Sequence, residues 1–277
     1  MVNSALNHNQ PLVSVNIPTY NSAATLALTL ESVAKQTFKN LEIIVIDSNS
    51  VDHSREIAQK YDARVVLYDG KLLGARYIGV KESQGDYILL LDSDQILEET
   101  AIERACYLVK ENEYDMLALE EHSYLPSTWV QRQLQGQRKA SHASIKGLDP
   151  LQGGGLLARF YRKDILEKAF ECVPKELLPI VGAHDHAIIY LEAYYLTQSV
   201  TILPNAVWHQ EPQTLSKLAK KFFNWGKSTK PLVKSGYYQN IVQNATSLRN
   251  RSKYTTRPQN LIINLVKGLS YRLGLYL

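Results

Sequence analysis

The 277-residue chain has only two cysteines, Cys106 and Cys172, and neither sits at metal-type spacing from another ligand. A disulfide framework is thereby excluded, and a reducing compartment, the cytoplasm, is expected. No Gly-x-Gly-x-x-Gly follows the first apolar run, which ends Pro18-Thr19-Tyr20-Asn21-Ser22, and no phosphate-binding P-loop is present. A nucleotide would have to be held by side chains and metal instead of a glycine cradle. No apolar run is long enough to cross a bilayer, and the polar stretch from Met1 to Gln10 lacks the basic-then-apolar order of a secretory signal. The largest absence is of acid: beyond Glu211 there is none. Residues 212–277 hold 12 of the 31 basic residues, so the remainder carries 19 against 27 acidic ones, a net of −8. Such asymmetry points to an anionic partner for the tail, a phosphate-bearing acceptor or a membrane surface, against the alternative of a solvated basic face. No nucleic-acid recognition module is visible.

What the chain does have is organised around Gly85-Asp86-Tyr87-Ile88-Leu89-Leu90-Leu91-Asp92-Ser93-Asp94-Gln95. The apolar run reads as a strand buried on both faces. If the backbone stays extended past Leu91, Asp92 and Asp94 project to one side. Two carboxylates at the carboxyl end of a buried strand repel each other, and a hard cation bridging them to a phosphate resolves the repulsion. The plain alternative is a strand-ending turn.

Upstream, strands are expected at Leu12–Pro18, Asn40–Asp47 and Ala63–Tyr68, alternating with helices from Ser22 to Gln36, Asp52 to Tyr61 and Leu73 to Ser83. This alternation implies an α/β fold with a mostly parallel central sheet and flanking helices. Three strand ends then bring polar groups to one edge: Thr19-Tyr20-Asn21, Asp47-Ser48-Asn49-Ser50 and Asp92-Ser93-Asp94.

In these residues the chain resembles the GT-A fold (Rossmann-like) glycosyltransferases of family 2, over roughly residues 11–210. Pro18-Thr19-Tyr20-Asn21 is similar to that family's first-strand motif, and Asp47-Ser48-Asn49-Ser50-Val51-Asp52 to its Asp-Asp-Gly-Ser-x-Asp turn. Gly74-Ala75-Arg76-Tyr77-Ile78-Gly79 resembles its Ala-Arg-Asn-x-Gly segment, and Asp92-Ser93-Asp94 its metal motif. The resemblance implies a nucleotide-sugar site made of Pro18, Thr19, Tyr20, Asn21, Asp47, Ser48, Arg76, Asp92 and Ser93. In it Asp47 bonds the base, Tyr20 and Arg76 line the pocket, Asp92 meets the ribose and Asp94 binds a divalent cation, Mn2+ or Mg2+. Ser48, Asn49 and Tyr77 depart from the family pattern, which leaves the donor base open between UDP and GDP types.

In the second half a helix is expected from Leu97 to Glu111, a strand at Met116–Glu120, and a weakly patterned polar segment over 121–150 with Trp129 and Arg132 covering the acceptor side. The run from Gly153 to Phe160 reads either as a glycine-opened strand or as a bend. Val181-Gly182-Ala183-His184-Asp185-His186 stands where the resembled family keeps an acidic pair before a helix. Asp185 is the candidate catalytic base, taking the acceptor proton; its alternative role is to cap that helix. His209, ending a strand Ile202–His209, stands where the resemblance implies a further metal ligand, imidazole being compatible with manganese; its alternative is a plain hydrogen-bonded residue at a strand end. A zinc hydrolase built on His184, His186 and His209 has no His-Glu-x-x-His helix to support it.

The tail carries Leu215, Leu218, Phe222, Phe223 and Trp225 at helical spacing among lysines, and Ile262, Leu265, Val266, Leu269, Leu273 and Tyr276 along a later stripe. Such helices lie in a membrane interface, or pack on the catalytic domain or on a second copy in a homodimer. The expected organisation is a catalytic domain over 1–211, with its donor half about 11–95 and acceptor half about 96–211, and a basic helical region over 212–277. The expected activity is metal-dependent transfer of one sugar, with inversion, to a saccharide or polyprenyl-phosphate-linked acceptor. The expected place is the cytoplasm, peripherally on the inner face of the membrane. A retaining transferase and an inactive donor-binding partner subunit are the rivals.

Overall fold

A computed structural model describes residues 10–143, 145, 147–151, 156–243 and 258–277. The first half is an unbroken α/β alternation. Strands β1 (Val13–Thr19), β2 (Leu41–Asp47), β3 (Arg64–Leu67) and β4 (Tyr87–Leu90) run parallel, joined by helices α1 (Ala23–Ala34), α2 (Ser54–Gln59) and α3 (Leu72–Glu82). The order β3-β2-β1-β4 continues into β7, β6, β8 and β5, giving eight strands among the described residues. There the pairing becomes mixed: β7 (Ala158–Arg162) is antiparallel to both β4 and β6 (Met116–Ser123), β6 is parallel to β8 (Val200–His209), and β5 (Gln95–Leu97) is antiparallel to β8.

Strand alternation divides the core into two layers. Val13, Val15 and Ile17 of β1 face Leu26, Leu30 and Val33 of α1 and Ile102, Ala105 and Val109 of α4 (Ala101–Asn112). On the other face, Ile88 and Leu90 of β4 meet Leu73 and Val80 of α3, Leu166 and Phe170 of α6 (Lys163–Cys172), and Ile188 and Ile189 of α7 (Asp185–Leu196). Helix α3 lies tight on the sheet because Gly79 is there: a Cβ at this position would stand 2.9 Å from Asn16 Nδ2 and from Ile46 Cδ1. That close approach carries Arg76, three residues earlier, under the tips of the strands.

The second half departs from the sequence expectation in several places. The expected helix at Leu97 begins only at Ala101, because Gln95–Leu97 pairs with β8 first. The weakly patterned segment contains α5 (Trp129–Ala143), whose buried side is only Val130, Gln131 and Leu134, too narrow a stripe to stand out. Helix α6 was not expected at all. Of the run from Gly153 to Phe160, read as either a strand or a bend, Ala158 begins strand β7; Gly153, Gly154 and Gly155 lie outside the described residues, as do Arg249, Arg251, Lys253 and Arg257 of the basic tail.

The tail forms α8 (Leu215–Ser235) and α9 (Pro258–Tyr276). Thr214 caps α8 by accepting from the Lys217 N–H, and Gly236, at φ 79°, ends it in the left-handed conformation that glycine adopts freely. The two helices cross backbone to backbone. A Cβ on Gly226 would stand 2.0 Å from the Tyr271 carbonyl oxygen, and one on Gly274 1.9 Å from that of Phe223. Leu218 of α8 and Ile263 of α9 close a small core with Val130 and Leu134 of α5. The tail therefore packs on its own catalytic half, while the stripe Ile262, Leu265, Leu269, Leu273 and Tyr276 faces outward. Among the described residues no helix is long and apolar enough to cross a membrane.

At Gly226 alanine is the better helix former by up to about 1 kcal/mol, but its methyl would force the helices apart. Gly226→Ala is thus expected to destabilise, by roughly 1–3 kcal/mol, measured by denaturant unfolding. An unchanged or raised stability would show that the helices do not cross at this point.

Candidate active site

Three parallel strands deliver their polar ends to one edge. Thr19 stands opposite Asp47 in the β1–β2 register, and Leu90 opposite Asn16 in β1–β4. Past β1, Tyr20 is 66% exposed, whereas Thr19 just before it is buried. Asn21, at φ 50°, turns the chain; its N–H donates to Ser50 Oγ at 2.9 Å and its Oδ1 accepts from the Val51 N–H at 2.9 Å. Asparagine is among the few residues that tolerate this conformation. The Ser48 N–H donates to the Thr19 carbonyl at 2.8 Å, so the two strand-end loops are knit together. Asp47 is fully buried; Oδ1 accepts from the Ser50 N–H at 3.0 Å with Arg55 Nε 3.7 Å away, but Oδ2 finds no hydrogen-bond partner among the described residues.

The backbone does not stay extended past Leu91. It turns, with the Gln95 N–H donating to the Asp92 carbonyl at 3.0 Å and Gln95 Oε1 accepting from the Asp92 N–H at 3.0 Å. The expectation that Asp92 and Asp94 project side by side is therefore corrected, and the two acids take different partners. Ser93, between them, is bound at both ends: its carbonyl accepts from Thr29 Oγ1 at 3.1 Å and its hydroxyl bonds Ser22 Oγ at 2.9 Å.

Asp92 faces inward. It receives Arg76 Nη2 on one oxygen and Arg159 Nη1 on the other at 2.9 Å, with His186 Nε2 3.4 Å away. Arg76 reaches on through Nε to Asp185 Oδ2. Arg159 reaches Glu121 (2.8 Å), Glu121 takes Arg138 (2.5 Å), and Arg138 takes Glu211 (2.7 Å). The result is a chain of alternating charge, Asp185–Arg76–Asp92–Arg159–Glu121–Arg138–Glu211, drawn from α3, α5, α7, β6, β7 and the loops after β4 and β8. A recess beside it is lined by Glu121, Arg138, His142 and Arg159.

Burial alone would raise the carboxyl pKa values along this chain, yet the arginines outweigh it. Arg159 and Arg76 hold Asp92 well below the usual carboxylate range, and Arg76, then His186, lower Asp185. Both are carboxylates at neutral pH. Burial, reinforced by Arg159 and Arg76, lowers His186, which is therefore neutral there.

Asp185 is the first residue of α7, and the capping position belongs to His184 at φ 64°; no side-chain cap bond is made there. Asp185 therefore does not cap the helix as the alternative reading had it. Its carboxylate is committed to Arg76.

Asp94 looks the other way. Antiparallel pairing of β5 with β8 puts Gln95 opposite His209, and the Gln210 N–H donates to the Asp94 carbonyl at 2.9 Å. Asp94 Oδ2 comes within 3.3 Å of His209 Nε2, and Lys221 Nζ of α8 lies 3.3 Å from that oxygen and 3.4 Å from that nitrogen. His209 Nδ1 is buried and faces Glu211 Oε2 at 3.7 Å. Among the described residues no group of three or more His, Cys, Asp or Glu side chains is arranged to hold a metal ion. Asp94 and His209 nevertheless fit a cation that takes its remaining ligands from phosphate and water, which is how Mg2+ is commonly held. The carboxylate behind His209 is what a metal-bound imidazole requires.

Sequence reasoning gives no site role to Glu121, Arg138, Arg159, Glu211 or Lys221, and His186 enters it only in the zinc alternative. Glu121 had the same signature as Asp92, an apolar strand ending in acid. Glu211 is the last acid of the chain and lies two residues beyond His209.

The family model of glycosyl transferase family 2 matches residues 14–170, more than half of the chain. The chain belongs to this family. Among relatives, glycosyltransferase GlyG of Streptococcus pneumoniae is 36% identical over 120 residues, 41% of this chain and 40% of that protein. The Escherichia coli UDP-Glc:alpha-D-GlcNAc-diphosphoundecaprenol beta-1,3-glucosyltransferase WfaP is 36% identical over 104 residues, 36% of this chain and 41% of its own. The matches thus span about two fifths of these relatives' length. Among solved structures, S. aureus TarS 1–349 in complex with UDP-GlcNAc aligns with a TM-score of 0.61 at 17% identity, over 91% of this chain and 79% of that one. The mannosyltransferase PcManGT of Pyrobaculum calidifontis, in complex with GDP-Man and Mn2+, aligns at 0.55 and 15% identity, over 97% and 84%. The family 2 chain therefore has the GT-A fold of these transferases. Its matched stretch holds Asp47, Arg76, Asp92 and Asp94 but ends before Asp185 and His209.

Arg159 and Arg138 overcome burial to bring the Glu121 pKa from its ordinary 4.5 to about 2. With the folded value depressed, the stability Glu121 contributes is present above pH 4.5 and lost as pH falls through about 2. Glu121→Gln should be less stable at neutral pH by roughly 1–3 kcal/mol, since it takes one of two carboxylate partners from each of two largely buried arginines. Its melting temperature should also fall less steeply than the wild type's across that acid window. Parallel acid profiles would contradict the assignment.

Proposed function

We propose that this family 2 protein is a metal-dependent glycosyltransferase, moving one sugar with inversion from a nucleotide-diphosphate donor of the UDP or GDP type to an acceptor hydroxyl. The observation that carries the donor reading is Asp47, a fully buried carboxylate at a strand tip whose Oδ2 has no donor among the described residues. A buried acceptor left unpaired is costly, and a ring N–H of uracil or guanine supplies what it lacks. The exposed ring of Tyr20, at the same edge, offers a face for the base to stack on. We assign Pro18, Thr19, Asn21, Ser48 and Ser93 to the floor between these two groups and Asp92 to its side towards the acceptor half, with Arg76, fully buried, holding Asp92 from behind.

Asp94 and His209 would hold the cation, Mn2+ or Mg2+, with Glu211 orienting the imidazole. The chemistry such an ion supplies is Lewis-acid neutralisation of charge on the leaving diphosphate. Asp185 receives the proton of the attacking hydroxyl. Its partner Arg76 makes it a weaker base but keeps it ionised and fixed in place, and proton removal as attack proceeds contributes typically 10²–10⁴-fold in rate.

The acceptor we favour is a saccharide carried on polyprenyl phosphate at an anionic membrane surface on the cytoplasmic side. Leu261, Leu265, Leu269 and Leu273 recur every fourth residue along α9 and are each more than half exposed. Lysines of α8 accompany them, with no acid in the tail. A basic helix pair with one bare apolar face suits a lipid interface. WfaP, as its name records, uses a diphosphoundecaprenol-linked acceptor.

The test is turnover of UDP- and GDP-sugars by wild type and Asp185→Asn, with donor affinity measured alongside. Turnover by the variant should fall by about 10²–10⁴ with donor affinity within a few-fold, and the wild-type product should show an inverted anomeric centre by NMR. Retained turnover, or a retained anomer, would overturn the mechanism.

A further inference from the structure

Lys221 comes from the tail, outside the residues matched by the family model, and yet its ammonium touches the pair assigned above to the cation. An ammonium has protons to give and no lone pair. With the His209 proton on Nδ1, the nitrogen that faces Glu211 Oε2, Nε2 is an acceptor, and Lys221 at 3.4 Å from it and 3.3 Å from Asp94 Oδ2 is the shared donor to two acceptors that are themselves 3.3 Å apart. A neutral imidazole nitrogen has a single lone pair, so His209 Nε2 offers it either to Lys221 or to a metal ion, never to both.

We propose that Lys221 and the divalent cation are alternative occupants of the Asp94–His209 pair, so that helix α8 holds the site shut to metal until the donor arrives. This rests on the cation reading given above and adds what governs its loading. In the donor-free protein the ammonium neutralises Asp94 and occupies the imidazole lone pair. A lone dication must displace it and then lie near a displaced like charge. A dication arriving with a nucleoside diphosphate brings its own negative charge, on which the freed Lys221 ammonium lands. Metal and donor therefore load together, and Lys221 changes partner from protein to diphosphate. The lysine can make this exchange because its side chain is 46% exposed at the start of α8, one turn beyond the buried Leu218 that anchors the helix.

The experiment is Mn2+ titration of the full chain, followed by the electron paramagnetic resonance signal of the free ion, with and without UDP. Without nucleotide, Lys221→Met should bind Mn2+ about tenfold more tightly or better, because a competitor and an adjacent like charge are gone. Lys221→Arg should stay near wild type, since it keeps the charge, and so should Lys220→Met, whose side chain is exposed beside it and makes no contact with the pair among the described residues. Adding Asp94→Asn to Lys221→Met should abolish the gain, placing the ion at this pair. With UDP present the wild type should bind Mn2+ far more tightly than without it, and Lys221→Met should show a smaller gain from UDP. Equal donor-free affinities in wild type and Lys221→Met, with Mn2+ bound by both, overturn the exchange and leave the cation site standing. Absence of Mn2+ binding in every variant, with and without UDP, overturns both.

Discussion

Arg76 has no solvent-exposed side-chain surface and carries a guanidinium into the core, which is tolerable only because two carboxylates meet it there. Its Nη2 bonds Asp92 at the end of β4, and its Nε bonds Asp185 at the start of α7, 109 residues away in sequence. Helix α3 supplies the arginine, pressed to the sheet by Gly79. The β4–β7 ladder and the Arg159–Asp92 pair also join the parallel half, which bears the strand tips, to the mixed half; Arg76 adds the bridge that reaches the base candidate itself. With it, the candidate base Asp185 and Asp92 are held in one orientation by one planar group, which a lysine in its place would not do.

The charge chain beyond Arg76 extends that logic across the sheet. Asp92 and Glu121 are each bracketed by two arginines, so their depressed pKa values record a structural commitment, and Glu211 ends the chain between Arg138 and His209. Asp47 and Asp94 are different: among the described residues one keeps an oxygen without a donor, and the other's carboxylate meets an imidazole and a half-exposed lysine. The acids between arginines are held in place by their partners, and the two less committed ones are those proposed above to meet the base and the cation.

The parallel half of the fold was legible because its strands are continuous apolar runs closed by polar turns, so Asp47 and Asp92 could be placed at one edge from pattern alone. The turn at Asp92–Gln95 was not, since Asp-Ser-Asp suits a turn and an extended end equally, and the choice is made by Gln95 pairing opposite His209. Helix α5 escaped because its buried face is three residues wide. Arg159 and Arg138 were invisible as site residues because nothing local marks an arginine whose partners lie on other strands. The direction of the tail's later apolar stripe was left open by the pattern: Gly226 and Gly274 set which side of α9 meets α8, and that choice turns the leucines outward while Val266 packs inward.

The most direct test of the central link is a double-mutant cycle on unfolding free energy with Arg76→Met, Asp185→Asn and the pair of changes together. A buried bridge between them should show a coupling of about 2 kcal/mol or more, since each single change strands a charge or a donor that the double change does not. Additivity within about 0.5 kcal/mol would mean that Arg76 and Asp185 do not hold one another, and the joining of the two halves of the site would have to be explained some other way.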